Sequence, residues 1–197
     1  MKSILVMTFI LTAALSTAGQ TATPPPTQCT VKVAPVIRGV KLGMTMKDVL
    51  AMFPGSRENE MVKNSLTAGE SYGSFGVSGF LVFPGQYPTK ERFAGISSIS
   101  FTFIDERLVR YGVAYDRPPW SHTDDFINKI AGAFNLPTAE NWAVGQSFKT
   151  LSCDGFTMHA SANSTGLISV MTNDDPNRIQ TARKAASEEK QRQEFKP

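Results

Sequence analysis

The chain has 197 residues, with 20 Lys+Arg against 17 Asp+Glu, 41% hydrophobic residues, 15 Gly, 12 Pro and 2 Cys. Charged residues make up only 19%, too few for a disordered polyelectrolyte, and a net charge of +3 does not mark a nucleic-acid binder. Two cysteines leave out a disulfide-dense scaffold and a multi-cysteine zinc site.

Residues 1–18 read as a signal peptide. Lys2 supplies the positive start, Ile4 to Leu15 the apolar run, and Ser16 and Ala18 the small residues before a cleavage point. The run is shorter than the ~20 residues a spanning helix needs. No later stretch approaches that length, so the expected mature protein is exported, periplasmic or secreted, and does not insert into a membrane. Residues 19–28 include Pro24-Pro25-Pro26 and read as an extended, proline-rich leader.

Residues 29–175 are expected to form a single α+β domain, with subunits of about 29–116 and 117–175. Thr45, with Asp48 three positions on, opens a short helix whose stripe is Met46, Val49, Leu50 and Phe53. Pro54-Gly55 ends it. Phe75, Val77, Leu81 and Phe83 alternate along one face of a first strand. Ile99, Phe101 and Phe103 alternate in a second, and Val109, Tyr111, Val113 and Tyr115 in a third. Asp105-Glu106-Arg107 is the turn between the second and third strands, the clearest hairpin in the chain.

A second helix opens at Ser121 or Thr123, with stripe Phe126, Ile127, Ile130 and Phe134, and ends at Asn135-Leu136-Pro137. Gln146 to Cys153, Phe156 to Ala160 and Leu167 to Thr172 follow as strands. Asp154-Gly155 is either a two-residue turn or a bulge in one long strand. Residues 176–197 form a charged tail in which Ile179 and Phe195 are the only large apolar side chains. The predicted architecture is an antiparallel sheet with two short helices packed on one face, read as two helix-plus-sheet units sharing a core.

The segment Arg38-Gly39-Val40-Lys41-Leu42-Gly43-Met44-Thr45, followed by Val49-Leu50 on the helix, resembles the helix-opening segment of the β-lactamase-inhibitor-protein-like superfamily. It is similar also to that of the related SmpA/OmlA small outer-membrane lipoproteins. The resemblance implies that Gly43 takes a positive φ or a close approach, Met44 fills a pocket and Thr45 caps. It also implies a protein-binding module whose exposed sheet face or hairpin loops meet a partner. The chain departs from those families by lacking a lipidated N-terminal Cys and by its greater length. Its second helix has no Gly-Met-Thr opening, and no functional residue carries over.

Chemistry is sparse. His159 is expected to point outward from its strand, His122 to take either a local cap or a solvent-facing role at the start of the second helix, and no pair of histidines has metal-ligand spacing. No Gly-x-Ser-x-Gly elbow or glycine-rich phosphate loop occurs. Asp105-Glu106, Asp124-Asp125 and Asp174-Asp175 sit where solvated acids are common, so no catalytic residue, metal or cofactor is expected. Cys29 and Cys153 are a disulfide candidate in an oxidising compartment, the alternative being two separate thiols. Arg110, Arg117 and Trp120, clustered near the third strand's exit, are the candidate binding residues, because Arg and Trp are enriched at binding hot spots. Tyr111 and Tyr115 read instead as core.

The sequence thus points to an exported, non-enzymatic module that binds an unknown protein partner. The alternative is a small exported hydrolase or ligand-binding domain with a site assembled across the sheet. The first expectation is open to N-terminal sequencing of the exported protein, which should begin at Gly19; a mature chain still starting at Met1 would contradict it.

Overall fold

Helices with a single apolar stripe need a surface to lie on, and the alternating strands supply it. The computed structural model describes residues 29–71, 75–116, 119–174 and 176–194; the signal segment, the leader and Arg117 lie outside the described residues. Among the described residues the α-helices are α1 (Met46–Ala51), α2 (Glu60–Ser71), α3 (Thr123–Phe134) and α4 (Pro176–Glu194). The strands are β1 (Val77–Val82), β2 (Ile96–Ile104), β3 (Arg107–Tyr115), β4 (Ala143–Val144), β5 (Lys149–Cys153), β6 (Phe156–Ala162) and β7 (Gly166–Thr172). All seven make one sheet in the order β1-β2-β3-β7-β6-β5-β4, and every neighbouring pair is antiparallel.

The register explains the layers. Phe80, Phe101, Tyr111, Val170, Met158 and Leu151 are successive cross-strand partners from β1 to β5. Directly opposed residues project to the same face, and all six are buried. Val49 and Leu50 of α1, Val62 of α2, and Phe126, Ile127, Ile130 and Ala131 of α3 join them in one core. Helices α1, α2 and α3 therefore cover one face, and the α+β expectation holds with more helix than the two segments anticipated.

Local chemistry places each element. Thr45 Oγ1 accepts from the Asp48 backbone N–H at 3.1 Å and donates to Asp48 Oδ2 at 2.6 Å. Gly43 sits at φ +82°, the left-handed conformation that favours glycine, and Met44 packs against the core. Gly43 N–H donates to the Leu108 carbonyl and Leu108 N–H to the Met44 carbonyl, both at 2.8 Å. The Gly-Met-Thr turn is thus fastened to the start of β3. His122 Nδ1 accepts from the Asp125 N–H at 3.3 Å at the opening of α3, and Asn135 closes that helix at φ 54°. The β2–β3 turn is Asp105-Glu106, both at positive φ, as a tight two-residue hairpin requires.

Two sequence expectations shift, and one open alternative is decided. In β1 the buried residues are Phe80 and Val82, while Val77 and Leu81 take the opposite face and Phe83 is 36% exposed. The aromatic contacts of Phe80 with Phe101 and Phe103, at ring distances of 5.2 and 5.6 Å, hold that register. In β3 a register shift pairs Phe103 with Leu108 and Thr102 with Arg110, so Leu108 takes the place in the core cluster while Val109 is buried beside it. Asp154-Gly155 is a hairpin turn between two strands, not a bulge in one.

The N-terminal part of the described chain is tied across the core. Cys29 and Cys153 form a disulfide with a Cα–Cα distance of 4.8 Å, spanning a sequence separation of 124. Tyr111, fully buried, donates its hydroxyl to the Pro35 carbonyl at 2.6 Å. Burial holds its phenol well above the ordinary pKa of 10, so it stays a donor. Closing so long a loop removes unfolded-state entropy, which the chain-entropy model values at ~5 kcal/mol. A Cys29→Ser, Cys153→Ser double variant should lose about 3–5 kcal/mol of unfolding free energy, read as a lower denaturant midpoint; an unchanged midpoint would show that the strap contributes nothing.

Candidate binding face of the sheet

Because one face is filled by helices, the other is left to whatever the alternate positions carry. Across β1, β2, β3, β7, β6 and β5 one row runs Gly79, Thr102, Arg110, Met171, Thr157 and Ser152. The next runs Leu81, Ser100, Gly112, Ser169, His159 and Thr150. Ser98, Ala114, Leu167 and Ser161 form a third, and Val77, Ile104 and Arg107 a fourth. These rows are made of hydroxyls, glycines, a few aliphatics, one histidine and two arginines. No carboxylate projects from a strand onto this face among the described residues.

Arg110 lies near the middle. Its Nε donates to Ser169 Oγ at 3.2 Å, which fixes the guanidinium plane. Among the described residues it has no carboxylate ion-pair partner. Beside it a cleft of about 280 Å³ is floored by Thr102, Arg110, Thr157 and Met171 and walled by Val77, Asp174 and Pro176. Thr157 Oγ1 donates to Asn173 Oδ1 at 3.2 Å, holding the chain where it leaves the sheet for α4.

Helix α4 forms one side of that cleft and buries none of its residues. Arg183 fastens it through a two-pronged contact with Asp105, Nη1 to Oδ1 and Nη2 to Oδ2 at 2.8 Å each, and through Nη1 to the Phe75 carbonyl at 2.7 Å. The Asp105 carboxyl is held below its ordinary value by this hydrogen bonding. Residues 176–194 of the tail are therefore a helix with a specific attachment, which a polar composition alone does not reveal.

His159 faces the same side as Arg110, as alternation predicted. Its ring stacks on Phe148 at 4.4 Å and 20° between planes. Ser169 is its cross-strand partner, but Ser169 Oγ is engaged by Arg110, and no acid orients the imidazole among the described residues. Cys153 is spent in the disulfide, so it offers no thiol to His159. No group of three or more His, Cys, Asp or Glu residues placed to hold a metal occurs among the described residues.

Of the other two candidates from the sequence, Trp120 does not join Arg110. Arg117 is outside the described residues. Trp120 is half-buried, at ring distances of 4.8 Å from Phe126 and 6.5 Å from Tyr115. It covers Gly166, where a Cβ would come within 2.6 Å of the indole. Tyr115, the partner of Gly166, lies five positions along β3 from Arg110 and on the covered side, so Arg110 and Trp120 do not share a surface. The sequence reading overlooked Ser169, Thr102 and Thr157, which take their meaning from cross-strand register rather than from any local pattern.

Comparison with protein-family models, curated proteins and solved structures finds no match for the chain. Among the described residues, no helix is long and apolar enough to cross a membrane.

The placing of His159 on the same face as the Arg110 charge has a measurable consequence. Burial, and secondly the Arg110 charge, hold His159 below its ordinary pKa of 6.5. The unfolded chain therefore binds the His159 proton more readily than the folded one. As pH falls below about 6.5 this group should lower stability, and the loss should level off once the folded imidazole is also protonated. Arg110→Gln should raise the His159 pKa part of the way back, leaving the effect of burial, as read from an NMR titration of the ring protons. An unmoved titration would mean the two side chains do not share the face.

Proposed function

We propose that this protein is an exported, soluble, non-enzymatic module that binds another protein, in the cell envelope or outside the cell, through the open face of its sheet. The observation that carries the reading is the asymmetry of the sheet. One face is buried under α1, α2 and α3. The other presents an ordered row of hydroxyl and small side chains around Arg110. A broad face of this kind suits contact with a second macromolecule more than enclosure of a substrate. The absence of an orienting acid beside His159, among the described residues, supports the binding reading over a hydrolase.

Other features agree. A disulfide between Cys29 and Cys153 is compatible with an oxidising compartment, as export through the segment at 1–18 would require. The Gly-Met-Thr segment, fastened to β3 as a helix opening, fits kinship with the inhibitor-protein-like superfamily. Kinship with that superfamily is part of the proposal.

A photo-crosslinking amino acid placed at Ser100 or Ser152, on the open face, should give a discrete protein adduct in the native envelope or culture fluid. The same group at Lys129, on α3, should not. No adduct from the open face, or equal adducts from Lys129, would sink the reading.

A further inference from the structure

The chemistry of the open face narrows what such a partner presents. Its strand positions carry Arg107 and Arg110 as their only full charges, and no carboxylate. Arg107 is partly used, since its Nη1 donates to the Gly43 carbonyl at 3.3 Å. Arg110 has no ion-pair partner among the described residues. Its Nε is committed to Ser169, and no described residue accepts from Nη1 or Nη2. A guanidinium fixed in plane with two terminal nitrogens open presents a fork that matches a carboxylate.

The cleft around that fork has a matching shape. Thr102 and Thr157 bring polar side chains to its floor, and Met171 and Val77 give apolar contact for a short aliphatic stem. Its volume, about 280 Å³, falls just below the roughly 300–1,000 Å³ of sites that enclose a whole small molecule. It suits one side chain presented by a larger body. Two arginines on one face are too few for a nucleic-acid backbone, which needs a stripe of cations. Asp174 stands in the wall, and among the described residues no acid pairs with the fork.

We infer that the open face takes an acidic protein surface, with one Glu or Asp carboxylate of the partner seated on the Arg110 fork in the cleft beside α4. This rests on the binding-module reading and deepens it.

The full mature chain, isotope-labelled, would be titrated with acetyl-tetraglutamate amide and, as controls, with acetyl-tetraglutamine amide and acetyl-tetralysine amide. Tetraglutamate should shift the Arg110 Nε–Hε signal and the amides of Thr102, Thr157 and Met171, saturably and less at high salt. The two controls should leave those signals in place. In Arg110→Gln, with its spectrum showing the fold intact, affinity should fall about tenfold or more; Arg110→Lys should retain part of it. The inference is overturned if tetraglutamine binds equally, if shifts fall away from the open face, or if Arg110→Gln leaves the tetraglutamate affinity unchanged. Open-face crosslinking to a partner without acid preference would overturn this inference and spare the module. Arg110-dependent tetraglutamate binding without any protein adduct would keep the carboxylate site and overturn the module.

Discussion

The pairing of β3 with β7 is the constraint on which everything else depends. These are the last strands of the N-terminal and C-terminal halves, and they run antiparallel with Tyr111 opposite Val170 and Arg110 opposite Met171. That alignment puts the buried residues of one half level with those of the other, so a single layer of helices can cover both. A slip of one residue would send Tyr111 to solvent and Arg110 into the core. Neither is tolerable, because one is a large buried aromatic with its hydroxyl on Pro35 and the other a permanent charge. The core and the open face are therefore set by the same six pairings.

Two ties reinforce the arrangement from outside the sheet. The Cys29–Cys153 bridge holds the stretch that gives Tyr111 its acceptor. At the other extreme, α4 returns from β7 to the β2–β3 turn and attaches through Arg183 and Asp105. An exposed ion pair contributes little to stability, but this one decides where α4 stands and so defines one wall of the cleft at Arg110. The strap supports the core, and the terminal helix shapes the surface.

Much of this was legible in the sequence where a period is unbroken. The stripes of α1 and α3, the β2–β3 hairpin and the Thr45 cap all follow from residue types at fixed spacing. What stayed hidden depends on contacts between distant segments. Among its described side chains, helix α2 packs Val62 and Leu66 into the core, with Asn59 Oδ1 accepting from Met61 and Val62 at its start, too thin a stripe to announce a helix. In β1 both alternating sets are apolar, Val77 and Leu81 on one side and Phe80 and Val82 on the other, so only pairing with Phe101 decides which is buried. Arg110 was recognisable as outward-facing, but its setting among Ser169, Thr102 and Thr157 comes from three other strands. Trp120 looked like a surface anchor until Gly166, far along the chain, proved to leave room for its ring.

The two halves form one continuous sheet with one covered and one open face. Native-state hydrogen exchange, resolved residue by residue, tests it most directly. The paired amides of β3 and β7 should be among the slowest to exchange and should require global unfolding to open. If those amides exchange far faster than the amides within β2–β3 and β6–β7, the halves separate in solution, and the shared core and continuous open face described here do not exist.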